Sequence, residues 1–176
     1  MFEQLLSSPR IAEMVAWTQV HGAVALGFLA GLLAWTVRHP GFFFFLTLPG
    51  VIVHELSHWF MAAVLGGRPS RLSVVPVQDP SGRWILGSVR FHATWWNGSF
   101  VALAPLVGNC IAAAAAVALA PGELIGGVAC GYLSAVILRH ATLSRADLGV
   151  IARQPAGAFA LLGLLTWALQ EAGWLA

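Results

Sequence analysis

The chain has 176 residues, 59% of them hydrophobic and only 9% charged, with a net charge of +2. A soluble globular domain carries about 25% charged residues, so this composition excludes one and points instead to a polytopic membrane protein. The small net charge gives no footing for nucleic acid. The two cysteines, Cys110 and Cys130, lie in apolar runs and make neither a disulfide framework nor a zinc knuckle; they read as small buried hydrophobes.

Residues 1–13 are short, mixed and amphipathic, and they lack the basic start, apolar core and small-residue cleavage site of a secretory signal. They are expected to lie at the membrane interface as a short helix. The first span is expected over residues 14–37. Its Gly27-x-x-x-Gly31 suits close helix packing, and His21 reads as a buried, hydrogen-bonded histidine or a metal or haem ligand. After the turn Arg38-His39-Pro40-Gly41 comes a second span, 42–66. Pro49 should loosen it about one turn before its most informative residues.

Those residues are His54-Glu55-Leu56-Ser57-His58. On a helix, His54 and His58 are one turn apart and face the same way, so both imidazoles can reach one metal ion. Glu55 points roughly 100° round the helix, where it can address a water rather than the metal. Two neutral nitrogen ligands and a carboxylate base are the division of labour of a zinc peptidase. With 6 His and 7 acids in 176 residues, chance yields this pattern only about once in a hundred such chains. Ionisable groups inside a membrane-length apolar run are costly, and a metal is a natural compensation; the bland alternative is a polar face lining a water pocket.

Residues 71–78 and 83–91 read as two strands joined by the turn Asp79-Pro80-Ser81-Gly82, a hairpin spanning about 71–91. Pro76 makes the first strand an edge, able to pair with an unwound peptide or simply to connect spans. Trp95-Trp96 reads as part of an interfacial belt, with His92 beside it. A third span over 100–120 contains Asn109, which reads either as a substrate-binding group or as an interhelical hydrogen bond. Shorter or later spans follow at about 124–139 and 156–175, the second after a break at Gln154-Pro155. The expected fold class is therefore an all-α polytopic membrane protein. It has about five transmembrane helices in a single membrane-embedded domain, 1–176, with a cytoplasmic-side β-hairpin between the second and third.

The run from His54-Glu55-Leu56-Ser57-His58 through Ala62-Ala63-Val64-Leu65-Gly66-Gly67-Arg68 resembles the site-2 protease family of intramembrane zinc metalloproteases. A hairpin directly after the metal helix also matches that family. Leu103-Ala104-Pro105-Leu106-Val107-Gly108-Asn109 is similar to its Gly-Pro-led, Asn-containing segment, although Ala104 stands where glycine is usual. The resemblance implies a third zinc ligand, an aspartate on a later helix. The family's commonest form of that element, Asn-x-x-Pro followed by Leu-Asp-Gly, is absent. Ser144-Arg145-Ala146-Asp147-Leu148-Gly149 stands in its place and looks closer to a Ser-x-x-Asp variant. Asp147 then reads as the third ligand, or as the acidic member of a helix-capping box with Ser144, or as a bystander with His140 taking the ligand role.

Eight of the nine arginines fall on one side of a five-span topology and only Arg38 on the other, which puts the amino terminus and hairpin in the cytoplasm. The expected function is zinc-assisted hydrolysis of a peptide bond in or near a transmembrane segment. His54, His58 and Asp147 hold the zinc and Glu55 is the base. The partners are a membrane-protein substrate, the lipid bilayer and a regulatory or complex-forming membrane protein. The alternatives are a non-catalytic, protease-like scaffold or accessory subunit, and a haem protein using His21, which leaves Glu55 without a role.

Overall fold

The computed structural model describes residues 9–174. The interfacial segment expected over 1–13 lies outside the described residues as far as residue 8; from Pro9 onward it is continuous with the first long helix. That helix, α1, runs Pro9–Leu33 and ends in a 3-10 turn, Ala34–Thr36. Then come α2 (Pro40–Val64), four short strands, α3 (Gly98–Ala118), α4 (Leu124–Arg139), α5 (Arg145–Arg153) and α6 (Ala156–Glu171). The described chain is thus mostly α-helical, and its only sheets are two-stranded.

Three helical stretches, Glu13–Thr36, Pro40–Val64 and Gly98–Ala118, are long and apolar enough to cross a membrane. Between 17% and 33% of the residues in their most apolar windows are buried within the protein. The rest, among them Phe45, Phe60, Val107 and Ile111, need an apolar medium outside it. The helix Leu124–Arg139 is apolar but shorter, and α5 and α6 form a pair bent by 90° at Gln154-Pro155, a broken span or a re-entrant segment. Lengths and composition thus give three crossings, or four if the bent pair is one, where the sequence reading expects five.

The described chain divides into two compact units. The first comprises Met1–Gly50 and Asn109–His140. Here α1 and α4 interlock through glycine. A methyl on Gly27 would strike the Val128 backbone, one on Gly131 the Val24 backbone, and one on Gly31 the Ala135 side chain. Without side chains at these points the backbones can approach, the main source of helix association in lipid. α2 runs unbroken through Pro49. The backbone around that residue draws on side chains: the Tyr132 hydroxyl donates to Leu46 O at 2.7 Å, and Asn109 Nδ2 reaches Gly50 O at 3.5 Å. The carbonyl that Pro49 leaves without its helical N–H is that of Phe45, one residue before the Tyr132 contact.

The second unit comprises Val51–Gly108 and Ala141–Ala176. Its hairpin is four strands in two ladders: β1 (Arg71–Ser73) pairs with β4 (Ser88–Arg90), and β2 (Val77–Gln78) with β3 (Trp84–Ile85), all antiparallel. The continuous strand expected over 71–78 breaks at Val74–Pro76, where proline has no N–H to offer a ladder and Ser73 Oγ accepts from Val75 N instead. The tip closes as expected: Asp79 N donates to Arg83 O and Gly82 N to Asp79 O, with Gly82 at a positive φ of 82°. At the root, Asn97 is buried. Its Oδ1 accepts from Thr94 N, while its Nδ2 faces Leu65 O and His92 O, so the end of α2 and the start of α3 are fixed together. The α5–α6 junction is held on α3 by a bond from Ser99 Oγ to Gln154 O, and Gly157 lies against Phe100.

Candidate metal centre

The geometry is built on the carboxyl-terminal half of α2, within the second unit. His54 and His58, one turn apart, present Nε2 atoms 3.2 Å from each other. Asp147 comes from the first turn of α5. Its Oδ1 lies 3.2 Å from His58 Nε2, and its Oδ2 lies 3.9 Å from His54 Nε2. The three donor atoms fall within 4.8 Å of one another, so the group could hold one metal ion. His58 and Asp147 are buried and His54 is half-buried.

The hydrogen bonds around the group decide what sits between these atoms. His58 Nδ1 is 2.8 Å from the Val101 carbonyl on α3, which can only accept, so Nδ1 carries the proton. In a neutral imidazole the Nε2 is then a lone pair, and it faces a carboxylate oxygen at 3.2 Å. Two acceptors at that distance need a positive charge between them, either a proton or a metal ion. A ligating histidine whose second nitrogen donates to a backbone carbonyl is the usual support for a metal site.

Asp147 is also the capping box it resembles in sequence. Ser144 Oγ accepts from Asp147 N at 3.1 Å, and Asp147 Oδ2 accepts from Ser144 N at 2.7 Å. The ligand and cap readings are therefore compatible, because Oδ2 serves the helix start while Oδ1 faces His58. His140 belongs to the first unit, where its Nδ1 donates to Val136 O and its ring lies 5.2 Å from that of Trp35. It is not among the converging donors.

Glu55 is buried and stands outside the three-atom group, as its helical angle requires. Its carboxylate lies against the backbone of Gly87, between β3 and β4: a Cβ placed on Gly87 would come 2.6 Å from Glu55 Oε1. The hairpin thus approaches the carboxylate as closely as a residue without a side chain permits. Neither Gly87 nor the Val101 carbonyl figures in the sequence reading. A carbonyl acceptor leaves no sequence signature, whereas a glycine inside a strand pattern marks close backbone approach and could have pointed here.

Asn109 is fully buried in the first unit. Its amide donates to Ile137 O at 3.0 Å, near the end of α4, and faces Gly50 O; its Oδ1 has no hydrogen-bond partner among the described residues. The structure thus gives its amide the interhelical role. His21 is exposed rather than buried as expected; it stacks on Trp17 with ring centroids 4.0 Å apart and bonds the Trp17 carbonyl at 2.7 Å, a contact local to its own helix. Cys110 and Cys130 are free thiols and neither is buried as expected: Cys110 is exposed, on a helix whose outer face is apolar, and Cys130 is half-buried. No family model, curated protein or solved structure matches the chain.

Proposed function

We propose that this protein is an intramembrane zinc metalloprotease of the site-2 type. The observation that carries the reading is the convergence of His54 Nε2, His58 Nε2 and an Asp147 oxygen beside a buried Glu55, on a helix long and apolar enough to cross a membrane. The donor set is two imidazoles and a carboxylate, an established hydrolytic zinc set that leaves one position open. Two separations match a tetrahedron, whose edges are about 3.3 Å for bonds of about 2.0–2.1 Å: His54 Nε2 to His58 Nε2 and His58 Nε2 to Asp147 Oδ1 are both 3.2 Å, with all three donors within 4.8 Å of one another.

His54 and His58 would hold the ion from one helix turn, and the Val101 carbonyl fixes the ring orientation and tautomer of His58. Asp147 brings the third ligand on a helix start stiffened by Ser144. Zinc, when bound, polarises the scissile carbonyl and makes a water acidic near neutral pH. Glu55 takes a proton from the attacking water and passes it to the leaving amine. Gly87 brings the hairpin backbone to Glu55, so a peptide lying along that edge has its scissile bond near the base. The substrate is a membrane-protein segment, locally unwound because a helical peptide bond is shielded. Substrate access would fall to a regulatory or complex-forming membrane partner. Arg38 alone lies opposite the other arginines in a five-crossing topology, which supports a cytoplasmic amino terminus in a plasma membrane, with α4 and α6 as the fourth and fifth crossings.

The test is zinc per chain in detergent-purified protein, followed by cleavage of a single-span substrate in vesicles. About one zinc in the parent, lost in His58→Ala and in Asp147→Ala, is expected, with cleavage abolished in Glu55→Gln while zinc is retained. A parent that takes up no zinc on reconstitution sinks this reading and leaves the non-catalytic scaffold.

A further inference from the structure

The second unit carries arginines for which it supplies no acidic partner. Its six are Arg68, Arg71, Arg83, Arg90, Arg145 and Arg153, against four acids, Glu55, Asp79, Asp147 and Glu171. Glu55 and Asp147 are buried at the candidate metal centre, and Glu171 ends α6. Asp79 is taken by Arg83, at 2.8 Å from its guanidinium. Among the described residues Arg68, Arg71 and Arg90 form no ion pair, and all three are exposed.

These three meet at the hairpin root. Arg71 is directly opposite Arg90 in the β1–β4 register, so the two side chains rise from the same face. Like charges in that relation repel weakly, and a negative group lying over the pair would be favoured there. Arg68 sits between the two backbone bonds that close the root, His92 N to Gly67 O and Ser70 N to Arg90 O. It does so at a positive φ of 44°, the only non-glycine residue with one among those described, so a strained backbone holds a third cation at this spot. Asn97 ties the same root to the end of α2 and the start of α3, which places the cluster at the ends of two helices long and apolar enough to cross a membrane. Trp95 and Trp96 beside it are exposed, as side chains of the headgroup layer are.

We propose that Arg68, Arg71 and Arg90 form a binding site for the phosphate of an anionic lipid headgroup, seated at the root of the hairpin that reaches Glu55. Guanidinium forks match phosphate oxygens in geometry as well as charge. The bound headgroup relieves the Arg71–Arg90 repulsion and steadies the hairpin. The site stands on charge and register alone and does not depend on the protease reading.

The experiment titrates the full chain in a neutral detergent with phosphatidylglycerol, with phosphatidylcholine and with inorganic phosphate. It counts bound lipid by native mass spectrometry and follows thermal stability. Phosphatidylglycerol is expected to bind in preference to phosphatidylcholine. Removing two arginines should lower that preference roughly 30-fold, at about fivefold each. The Arg71→Gln/Arg90→Gln variant should therefore lose the preference, and Arg68→Gln should lose part of it. Arg38→Gln, at the turn before α2, should keep it. All three should retain the lipid-free melting temperature, since the residues are exposed. Equal binding of the two lipids, or a preference that survives in the double variant, overturns the proposal. Inorganic phosphate that reproduces the stabilisation at millimolar concentration overturns the lipid source and makes this a site for a soluble anion.

Discussion

Asp147 uses its two carboxylate oxygens differently, and that division can be tested. Oδ2 accepts from the Ser144 amide and Oδ1 faces His58. Asp147→Asn keeps an acceptor for the helix start but puts a neutral amide beside the histidines. It should keep its melting temperature close to the parent's and lose metal at least tenfold in affinity. Asp147→Ala removes both functions and should also cost about 1 kcal/mol of stability, the usual worth of a cap. Metal analysis beside thermal melts separates the two variants; an Asp147→Asn protein that still holds one ion would reduce Asp147 to a cap. Gly87 offers a second test. A Cβ there meets Glu55 Oε1 at 2.6 Å, so Gly87→Ala must displace either the hairpin or the carboxylate. On the proposed chemistry it should lower cleavage by an order of magnitude or more with metal content unchanged. The metal count guards against simple misfolding as the cause. His54, Glu55 and His58 were legible because a local period of four is a property of the helix itself. Asn109 was legible only as a choice between a substrate group and an interhelical hydrogen bond; its amide makes the second, with carbonyls that packing alone selects.

At the scale of elements, the hairpin tip and the α1–α4 pair are held by opposite means. The tip is polar. The Asp79 carboxylate accepts from the Ser81 hydroxyl, from the Arg83 amide and from the Arg83 guanidinium, which holds its pKa well below the usual carboxylate range. A depressed folded-state pKa stabilises the tip fully above the unfolded value of about 3.9 and loses that effect only as pH falls further. Protease nicking at the tip should therefore be flat from pH 8 to pH 5 in the parent, and raised throughout that range in Asp79→Ala. A parent whose nicking rises already between pH 7 and pH 5 contradicts this. The α1–α4 pair is apolar and depends on absence of side chains. Gly27→Ala or Gly131→Ala drives a methyl into the facing backbone and should destabilise by about 1–3 kcal/mol, read as a lower melting temperature in detergent. The turn and the Gly27-x-x-x-Gly31 surface were readable because each is a short-range rule. The bend of α5 against α6 was readable only as a break at Gln154-Pro155; its 90° angle arises where Ser99 and Phe100 of α3 meet the junction.

For the whole molecule, the three candidate ligands join residues almost a hundred positions apart in sequence, on α2 and α5 of one compact unit. That separation made Asp147 the hardest ligand to read, because its local sequence states a helix start and nothing about His58. The same separation would make a bound ion a structural cross-link. An ion that binds the folded chain and not the unfolded one stabilises it by about 2.7 kcal/mol at a hundred times its dissociation constant. For a chain of this size that corresponds to roughly 5–10 °C in melting temperature. Chelation should lower the melting temperature by that amount, and zinc should restore it. Magnesium, which prefers oxygen ligands and gives up water reluctantly, should not. His58→Ala should melt at the chelated value and ignore added zinc. In that variant only His54 remains beside Asp147, at 3.9 Å from Oδ2, too few ligands to keep the cross-link when the ion is supplied. A chelated parent that is stripped of metal yet melts unchanged would mean that a proton on His58, rather than an ion, holds Asp147 in place.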